Sequence, residues 1–340
     1  MMTMLLVLTG AFAVSVIGTH LIRRYALARN LMDVPNARSS HVVATPRGGG
    51  VAIVVAFLGG ILALWAGDAV DARLVVALVG SGLLVAAVGF LDDARGLPAG
   101  PRLLVHVLAA TWAVAWLGGL PPLLLFGRQV DLGSAGHALA VVGLIWMLNL
   151  YNFMDGIDGV AAIEAVTTCA GGLAIALLQH RSDAAWVVPA LLGSASLGFL
   201  LWNFPPARIF MGDAGSGFLG LMLGVMAIDA ARITPQSLWS WLILLAVFTT
   251  DATMTLIRRV QRGKKPHEAH RTHAYQHAAH DHRGHRQVSL AVAAINVGWL
   301  LPLALAVQLG RVDGLTGLIV ASVPLVWLAL RYGAGTDRAS

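Results

Sequence analysis

The chain has 340 residues, of which 57% are hydrophobic and only 12% are charged, and its mean hydropathy is +0.76. Soluble domains carry about 25% charged residues, so this composition excludes an ordinary soluble protein and indicates a polytopic membrane protein. The net charge of +6 is spread over loops between apolar segments. Anionic lipid headgroups and an anionic substrate are therefore the expected partners, and no nucleic acid is expected.

Eleven apolar segments are each long enough to cross a bilayer as a helix, for which about 20 residues suffice. They are 4–22, 50–66, 74–91, 102–118, 138–153, 160–179, 186–202, 214–230, 238–259, 288–309 and 315–331. No loop between them is long enough to form a separate domain. The sequence therefore predicts an all-α polytopic membrane protein with about 10 to 11 transmembrane helices in one domain, residues 1–340. The first segment is expected to remain as a helix, because it lacks the basic start of a cleavable signal.

The basic residues predict the orientation of these spans. When the loops are assigned alternately to two sides, 18 of the 23 Lys and Arg fall on one side and five on the other: Arg73, Arg128, Arg181, Arg232 and Arg311. Loops rich in Lys and Arg face the cytoplasm. We therefore expect the N-terminus outside, and the loops 23–49, 92–101, 154–159, 203–213 and 260–287 inside.

The first of these basic loops contains Arg38 and Arg47 and ends in Gly48-Gly49-Gly50, directly before the second span. Glycines let the backbone approach a ligand and leave N–H groups free at a helix start, which favours phosphate. A structural turn is an equal alternative. The two arginines would bind phosphate oxygens, or lipid headgroups if the loop is only a turn.

Adjacent carboxylates, Asp92 and Asp93, close the third span. Two neighbouring carboxylates repel each other, and a nearby cation would relieve that repulsion. Arg95 or a metal-bound substrate could provide it, and a plain helix end is the alternative interpretation.

Four polar residues recur at a spacing of three at the end of the fifth span: Asn149, Asn152, Asp155 and Asp158. On a helix each would lag its predecessor by about 60°, so the four groups would fan across one side. Gly156 and Gly159 interrupt the helix and leave the two aspartates on a turn. Because polar groups at membrane depth carry a desolvation cost, we predict that this row forms the reactive centre.

Two later loops add candidate ligands. Pro205 and Pro206 end the seventh span after Asn203, and Asp213 then starts the eighth beside small residues, with room for a metal and a diphosphate. Phe210 could stack on a base, although an isolated aromatic is more often part of the core. The last loop holds seven histidines between 267 and 285, interleaved with arginine and without cysteine, which suits phosphate better than zinc. Its distal half, 280–285, could be merely solvated.

Carboxylates and basic residues on the same side favour a site that binds a polyanion through a divalent metal. Mg²⁺ fits best, because proteins hold it with one or two carboxylates together with substrate phosphates, and Mn²⁺ is the alternative metal.

Taken together, these motifs resemble the polyprenyl-phosphate N-acetylhexosamine-1-phosphate transferases, a family of glycosyltransferase 4 type. The resemblance runs from Asp33 to about His277 and rests on six motifs: the Pro-Arg-Gly-Gly loop, Asp92-Asp93, the Asn149–Gly159 row, Phe210-Met-Gly-Asp213, Asp251 ahead of Arg258-Arg259, and the histidine loop. Members of the family start O-antigen, teichoic acid and peptidoglycan lipid intermediates in the bacterial cytoplasmic membrane.

The resemblance implies a Mg²⁺-dependent transfer of a sugar-1-phosphate from a UDP-sugar to undecaprenyl phosphate, with release of UMP. It implies metal ligands at Asp213 and Asn152, and catalytic roles for Asp92, Asp93, Asp155, Asp158 and His273. The implied substrate-binding residues are Arg38, Arg47, Asn149, Asn203, Phe210, His270 and Arg271. Besides the two substrates, membrane lipids are expected partners, and a homodimer is an open alternative to a monomer.

The histidine loop also suggests a branch of the family. Several branches have an acid before Arg-x-His and a His-x-His-His run after it, whereas this chain reads His270-Arg271-Thr272-His273-Ala274. That version resembles the O-antigen-initiating branch, which uses N-acetylated 6-deoxyhexoses such as FucNAc or QuiNAc.

An ion-coupled transporter is the alternative function, since buried carboxylates and histidines also serve ion pathways. A transporter would need acidic groups near the middle of the bilayer, whereas here they gather at one face. The Asp-Gly-x2-Ala-Arg motif of the CDP-alcohol phosphotransferases does not occur in the sequence.

Overall fold

The computed structural model describes residues 1–35, 43–179, 183–265, 270–282 and 284–337. Arg38, Arg181 and the start of the histidine loop at His267 lie outside the described residues. Within the described ranges, the only strands are four short ones that form two antiparallel pairs, β1 (Met32–Asp33) with β2 (Thr45–Pro46) and β3 (Leu123–Leu125) with β4 (Arg128–Val130). Everything else that is regular is helical, which confirms the predicted all-α class.

Every predicted span is helical, and nine of the eleven fall on a single helix, whereas 238–259 and 288–309 each cover more than one helical element. The helices are α1 (Met2–Ala28), α2 (Val51–Ala66), α3 (Ala72–Arg95), α4 (Ala99–Leu117), α5 (Gly133–Met154), α6 (Val160–Leu178), α7 (Asp183–Asn203), α8 (Asp213–Ile233), α9 (Gln236–Leu244), α10 (Ala246–Gln261), α11 (Ala274–Asp281), α12 (His285–Ile295), a π-helical turn (Asn296–Leu300), α13 (Leu301–Gln308) and α14 (Gly314–Arg331). Among the described residues, nine helical segments are long and apolar enough to cross a membrane, and α9 with α10 makes a tenth. The helix α2 has 16 residues and is shorter than these.

The ninth predicted span, 238–259, is not one straight helix. The helices α9 and α10 meet at Leu245 and are bent by 72° relative to each other. The reason lies in the composition of α10, which carries threonines and a buried Asp251 in its middle and Arg258-Arg259 in its last turn. Such residues are costly against lipid. The bend directs this polar helix toward the interior of the protein. There Asp251 accepts hydrogen bonds from the backbone amides at the start of α11.

Contacts between loops divide the molecule into two ends. At one end, Arg47 pairs with Asp93, and Tyr275 donates a hydrogen bond to the Phe153 carbonyl. At the other end, Trp239 donates to the Leu124 carbonyl, and the Phe126 amide donates to Asp313. The loops assigned to one side by the count of basic residues therefore lie together, while the membrane orientation itself stays a prediction.

A buried polar cluster joins α6 to the π-helical turn. Glu164 is fully buried, and its Oε2 accepts a hydrogen bond of 2.6 Å from Asn296 Nδ2. The same amide nitrogen donates to Thr167 Oγ1 at 2.7 Å. π-Helical turns are rare, and this one directs Asn296 at the only acidic residue within α6.

Removing that amide is expected to destabilise the protein. We predict that Asn296→Leu lowers the free energy of unfolding by about 1–3 kcal/mol, because it leaves a buried carboxyl without its donor. Unfolding in detergent, followed by circular dichroism, measures the change. Val297→Leu is the matched control, because Val297 is the next residue and is exposed. Equal stability of the two variants would contradict a stabilising role for the cluster.

Candidate active site

A polar cleft of about 230 Å³ opens at the end where α5 stops and α8 starts. It brings together seven of the residues that the sequence analysis selected: Arg47, Asn152, Asp155, Asp158, Asn203, Phe210 and Asp213. Asp33, Gln276 and His285 also line it. Residues from five separate parts of the chain thus meet in one cavity.

The asparagine and aspartate row is divided between a helix and a turn. Asn149 and Asn152 lie on the last turns of α5, which ends at Met154, whereas Asp155 and Asp158 lie on the turn before α6. Gly159 starts α6 with a φ of +77°, a conformation that favours glycine. The break swings the two aspartates into the cleft, while Asn149 faces a separate crevice.

Asp158 is held in place by three contacts, one from the loop before α8 and two from α12. Its Oδ2 accepts a hydrogen bond from the Ala207 amide at 2.9 Å, and its Oδ1 lies 3.1 Å from Nδ1 of His285. Ser289 on α12 donates to its backbone carbonyl. The sequence analysis placed His285 in the half of the loop that could be merely solvated, so this pairing was not predicted.

Asn203 connects two walls of the cleft. Its Oδ1 accepts from the Gly159 amide at 3.0 Å, and its Nδ2 donates to the Ile209 carbonyl at 2.9 Å. Only 3% of the residue is exposed. The side chain that was predicted to bind substrate therefore also fixes the turn that carries Asp158, next to the half-buried Phe210.

Negative charge accumulates around Asp155. Burial, and then the carboxylates of Asp213, Asp93 and Asp158, raise the pKa of Asp155 well above its ordinary value. Asn152 Nδ2 donates a hydrogen bond to Ser216 Oγ at 3.0 Å, and the Asn152 side chain lies close to the Asp213 carboxylate. A cation at this position would be attracted by several carboxylates at once.

Asp93 and Asp92 have different surroundings. Asp93 accepts hydrogen bonds from the amides of Asp213 and Ala214, at 3.0 and 3.3 Å, and lies 3.0 Å from Nη2 of Arg47. It thereby caps the start of α8. Asp92 accepts from the Leu97 amide at 2.6 Å and is paired with Arg102. The cations that relieve the repulsion between the two carboxylates are therefore Arg47 and Arg102, not Arg95 as the sequence analysis considered.

The glycines of the basic loop serve close packing. The amides of Gly49 and Gly50 donate to the carbonyls of Phe210 and Met211 at 2.9 and 2.8 Å, so they are not free for phosphate. A Cβ on Gly50 would lie 2.5 Å from the Cα of Gly215 in α8. This finding corrects the expectation that the glycines leave N–H groups for a ligand.

The described part of the histidine loop lies beside the cleft. His273 is 2% exposed, its Nδ1 lies 3.3 Å from Asp251, and its ring stacks on that of His270. Burial, and then the neighbouring His273 and Arg259, lower the pKa of His270 to about 4. Arg271 is exposed. Of the described residues in this loop, Gln276 reaches the cleft, whereas His270, Arg271 and His273 do not line it, so the functions of these three stay predictions.

Five polar residues near the reactive centre were missing from the predicted site: Arg102, His106, His285, Asp33 and Gln276. The first two lie on α4, inside a predicted span. Arg102 contributed only to the count of basic residues. A polar residue within an apolar span is itself a signal, and it would have selected His106.

Within the described ranges, no group of three or more His, Cys, Asp or Glu side chains could hold a metal ion by itself. The donors nearest the centre are the Asp213 carboxylate and the Asn152 amide, with Asp155 close by. This set fits a hard cation that takes its remaining ligands from substrate oxygens and water.

Comparison with known proteins gives independent information. The family model for glycosyl transferase family 4 matches residues 74–231, which include both Asp92 and Asp213. The chain is 30% identical to the decaprenyl-phosphate N-acetylglucosaminephosphotransferase of Mycolicibacterium smegmatis, over 84% of this chain and 77% of the relative. It is 31% identical to a protein of Bacillus subtilis named as a probable undecaprenyl-phosphate N-acetylglucosaminyl 1-phosphate transferase, over 71% of this chain and 68% of that relative.

A third relative is named for a different activity. The phospho-N-acetylmuramoyl-pentapeptide-transferase of Symbiobacterium thermophilum is 36% identical over 65% of this chain and 71% of its own. All three relatives are named as transferases, and none as a transporter. The matches over most of the chain, together with the family model across the helices that carry the acidic cleft, show that the protein belongs to glycosyl transferase family 4, with the polyprenyl-phosphate sugar-phosphate transferases that its motifs resemble.

Proposed function

We propose that the protein transfers a sugar-1-phosphate from a UDP-sugar to undecaprenyl phosphate, releasing UMP and leaving a lipid-linked diphosphate sugar. The observation that carries this proposal is the cleft in which Arg47, Phe210 and four aspartates converge. An aromatic ring, a guanidinium and carboxylates together suit a nucleotide diphosphate with its counter-cation. The names of the relatives support a polyprenyl phosphate as the acceptor.

The reaction is a direct displacement. An oxygen of the lipid phosphate attacks the phosphorus that bears the sugar, and the bond from that phosphorus to the bridging oxygen breaks as UMP leaves. Such phosphoryl transfers depend on positioning and charge neutralisation. The second pKa of a phosphate monoester is about 6, so the acceptor is largely ionised near neutrality and a strong general base is unnecessary.

Asp213 and Asn152 would hold Mg²⁺, with Mn²⁺ as the alternative metal. Bound there, the metal would neutralise charge on the diphosphate of the donor. The protein's own part is to orient the ligands. Asp93 anchors the backbone of Asp213 at the start of α8, and Ser216 accepts a hydrogen bond from the Asn152 amide, which fixes that side chain beside Asp213.

Recognition of the donor is assigned to the other cleft residues. Phe210 would stack on the uracil, and Arg47 would bind a phosphate oxygen while it stays paired with Asp93. Asp155 and Asp158 would line the ribose and diphosphate region. Asp92, beside Asn149 in the neighbouring crevice, would orient the acceptor. His273, His270, Arg271 and Arg38 stay candidates for donor binding, on the basis of the family resemblance.

The donor sugar is proposed to be an N-acetylhexosamine or its 6-deoxy form, and the pathway to be O-antigen or another cell-envelope polysaccharide. The histidine loop supports this assignment, because its Arg271-Thr272-His273 version resembles that of the O-antigen-initiating branch. We propose a location in the bacterial cytoplasmic membrane, with the cleft on the cytoplasmic side. The dense basic residues at that end support this orientation.

The test is UMP release by the purified protein with undecaprenyl phosphate, Mg²⁺ and a panel of UDP-sugars. We expect release with UDP-N-acetylated hexoses or 6-deoxyhexoses, and none without the lipid. Adding EDTA should abolish turnover, and restoring Mg²⁺ should recover it. Turnover that survives complete chelation would contradict the proposed metal. Release of a uridine nucleotide other than UMP would contradict the proposed reaction.

A further inference from the structure

A second crevice lies against the cleft, between α3, α4, α5 and α8. Its volume is about 20 Å³, and its polar walls are Asp92, Arg102, His106, Asn149, Asn152 and Asp213. Asn152 and Asp213 line both the crevice and the cleft. The two residues proposed to hold the metal therefore form the partition between two separate spaces, as expected if two substrates approach the centre from different sides.

Two nitrogen atoms of the crevice residues are without partners. Nδ1 of His106 and Nε of Arg102 are both buried and have no hydrogen-bond partner in the described part of the chain. His106 is only 8% exposed, although it lies on a membrane-spanning helix. Arg102 uses Nη1 to pair with Asp92, and that atom lies 3.6 Å from Asp213.

The unpartnered buried nitrogen atoms indicate what kind of ligand the crevice would bind. A buried polar group without a partner destabilises the protein, so a ligand that supplies acceptor oxygens would offset that effect. Arg102 can only donate, and an imidazole can donate from Nδ1. A phosphate oxygen meets both requirements, because it accepts hydrogen bonds from guanidinium and imidazole N–H groups.

The position of α4 indicates from where such a phosphate comes. Leu103, Leu104 and Leu108 on this helix are 51%, 61% and 53% exposed, as expected for side chains that face lipid. Arg102 and His106 lie on the side of the same helix that faces the crevice. A headgroup that belongs to a membrane lipid can therefore reach them at the bilayer surface, while the nucleotide occupies the cleft with Phe210.

We propose that His106 binds the phosphate of the lipid acceptor, together with Arg102. This inference rests on the proposed function and assigns the acceptor side of the same site. A volume of about 20 Å³ admits about one oxygen-sized group. One non-attacking phosphate oxygen accepts the His106 N–H inside the crevice, and the rest of the phosphate lies at the mouth beside Asp213, with its attacking oxygen directed at the donor phosphorus.

Binding measurements with two separate probes test the assignment. The short-chain lipid farnesyl phosphate reports on the crevice, and UMP with Mg²⁺ reports on the cleft; both are titrated against the full-length protein in detergent. We expect His106→Leu to weaken farnesyl phosphate binding at least tenfold and to change UMP binding by less than twofold. His106→Asn should recover much of the loss, because its amide can donate from near the Nδ1 position.

His137→Leu is the matched control, since His137 lies at the opposite end, where its Nδ1 accepts a hydrogen bond from the Leu120 amide. It should bind both probes like the wild-type protein. If His106→Leu weakens UMP binding as much as lipid binding, or changes neither, the inference is wrong. Failure of the wild-type protein to bind any prenyl phosphate would also overturn it. Binding of both probes without turnover on any UDP-sugar would instead contradict the proposed function alone.

If His106→Leu does not fold, which its unfolding temperature shows, the comparison rests on His106→Asn and a kinetic measurement. In that variant the KM for the lipid phosphate should rise two- to fivefold, with the KM for the UDP-sugar unchanged. A rise only in the KM for the UDP-sugar, or no change in either, would overturn the inference.

Discussion

Asp213→Asn is expected to abolish transfer while the protein stays folded. The Asn152 amide already contacts this carboxylate, and the variant keeps an oxygen but loses the negative charge that would hold the metal. Loss of one electrostatic stabiliser of a transition state commonly costs about 10²- to 10³-fold in rate, so we expect a decrease in kcat of at least that size. UMP release at saturating substrates measures it.

Folding should survive because the short contact of Asp213 is made by its backbone, whereas the ion pair of its carboxylate with Arg102 is long, at 3.6 Å. Its amide donates to Asp93, while its side chain is 36% exposed and lies among other carboxylates. Removing one charge from that group reduces repulsion. The unfolding temperature in detergent should therefore be unchanged or slightly higher.

Asp229→Asn is the matched control for this prediction. Asp229 lies on the same helix, α8, at its opposite end, where it pairs with Arg232 at 3.7 Å. The same change of charge there should leave turnover unaffected. Turnover close to that of the wild type in Asp213→Asn would remove Asp213 from the metal site, and large losses in both variants would indicate a general effect on α8.

The spans could be predicted from the sequence because an apolar run of sufficient length determines a membrane helix almost independently of its neighbours. The bend at Leu245 could not be predicted in the same way. Across 238–259 the average hydropathy is still high, and the effect of Asp251 appears only when its partners at the start of α11 are known. Those partners lie more than 20 residues away in the sequence.

The cleft was largely accessible to sequence reasoning because its residues stand in short motifs at helix ends. Asn152, Asp155 and Asp158 fall within one turn and a loop, and Asp213 follows Phe210 by three residues. His106 belongs to no motif, and only the packing of α4 against α3 and α5 places it beside Asn149. The function of a single polar residue inside a span depends on its tertiary contacts, and a sequence pattern does not contain those contacts.

Asp92 and Asp93 illustrate a further limit. As a pair in the sequence they are equivalent, and the family resemblance implied a catalytic role for both. In the structure Asp93 accepts two backbone amides at the start of α8, whereas Asp92 faces the crevice beside Arg102. Their substitutions should therefore have different consequences.

Asp93→Ala is expected to lower both stability and turnover. Removing a side chain that caps a helix N-terminus costs about 1 kcal/mol, and the helix that it caps begins with Asp213. Fraying there would displace the proposed metal ligand and reduce kcat strongly. Asp92→Asn keeps one oxygen, which accepts from the Leu97 amide, and gives up only the ion pair with the partly exposed Arg102, so it should lose little stability and mainly lose turnover.

Asp71→Ala separates the two effects, because Asp71 caps the start of α3 at the opposite end by accepting from the Leu74 amide at 3.0 Å. It should lose a similar stability but keep its turnover. The measurements are the unfolding temperature in detergent and UMP release for all three variants. If Asp93→Ala unfolds like the wild type yet does not react, then Asp93 acts on the substrate itself, as the sequence motif suggested, and capping of α8 is secondary. If Asp93→Ala instead loses both stability and turnover, while Asp92→Asn loses mainly turnover, then Asp93 is a positioning residue that holds Asp213 in place.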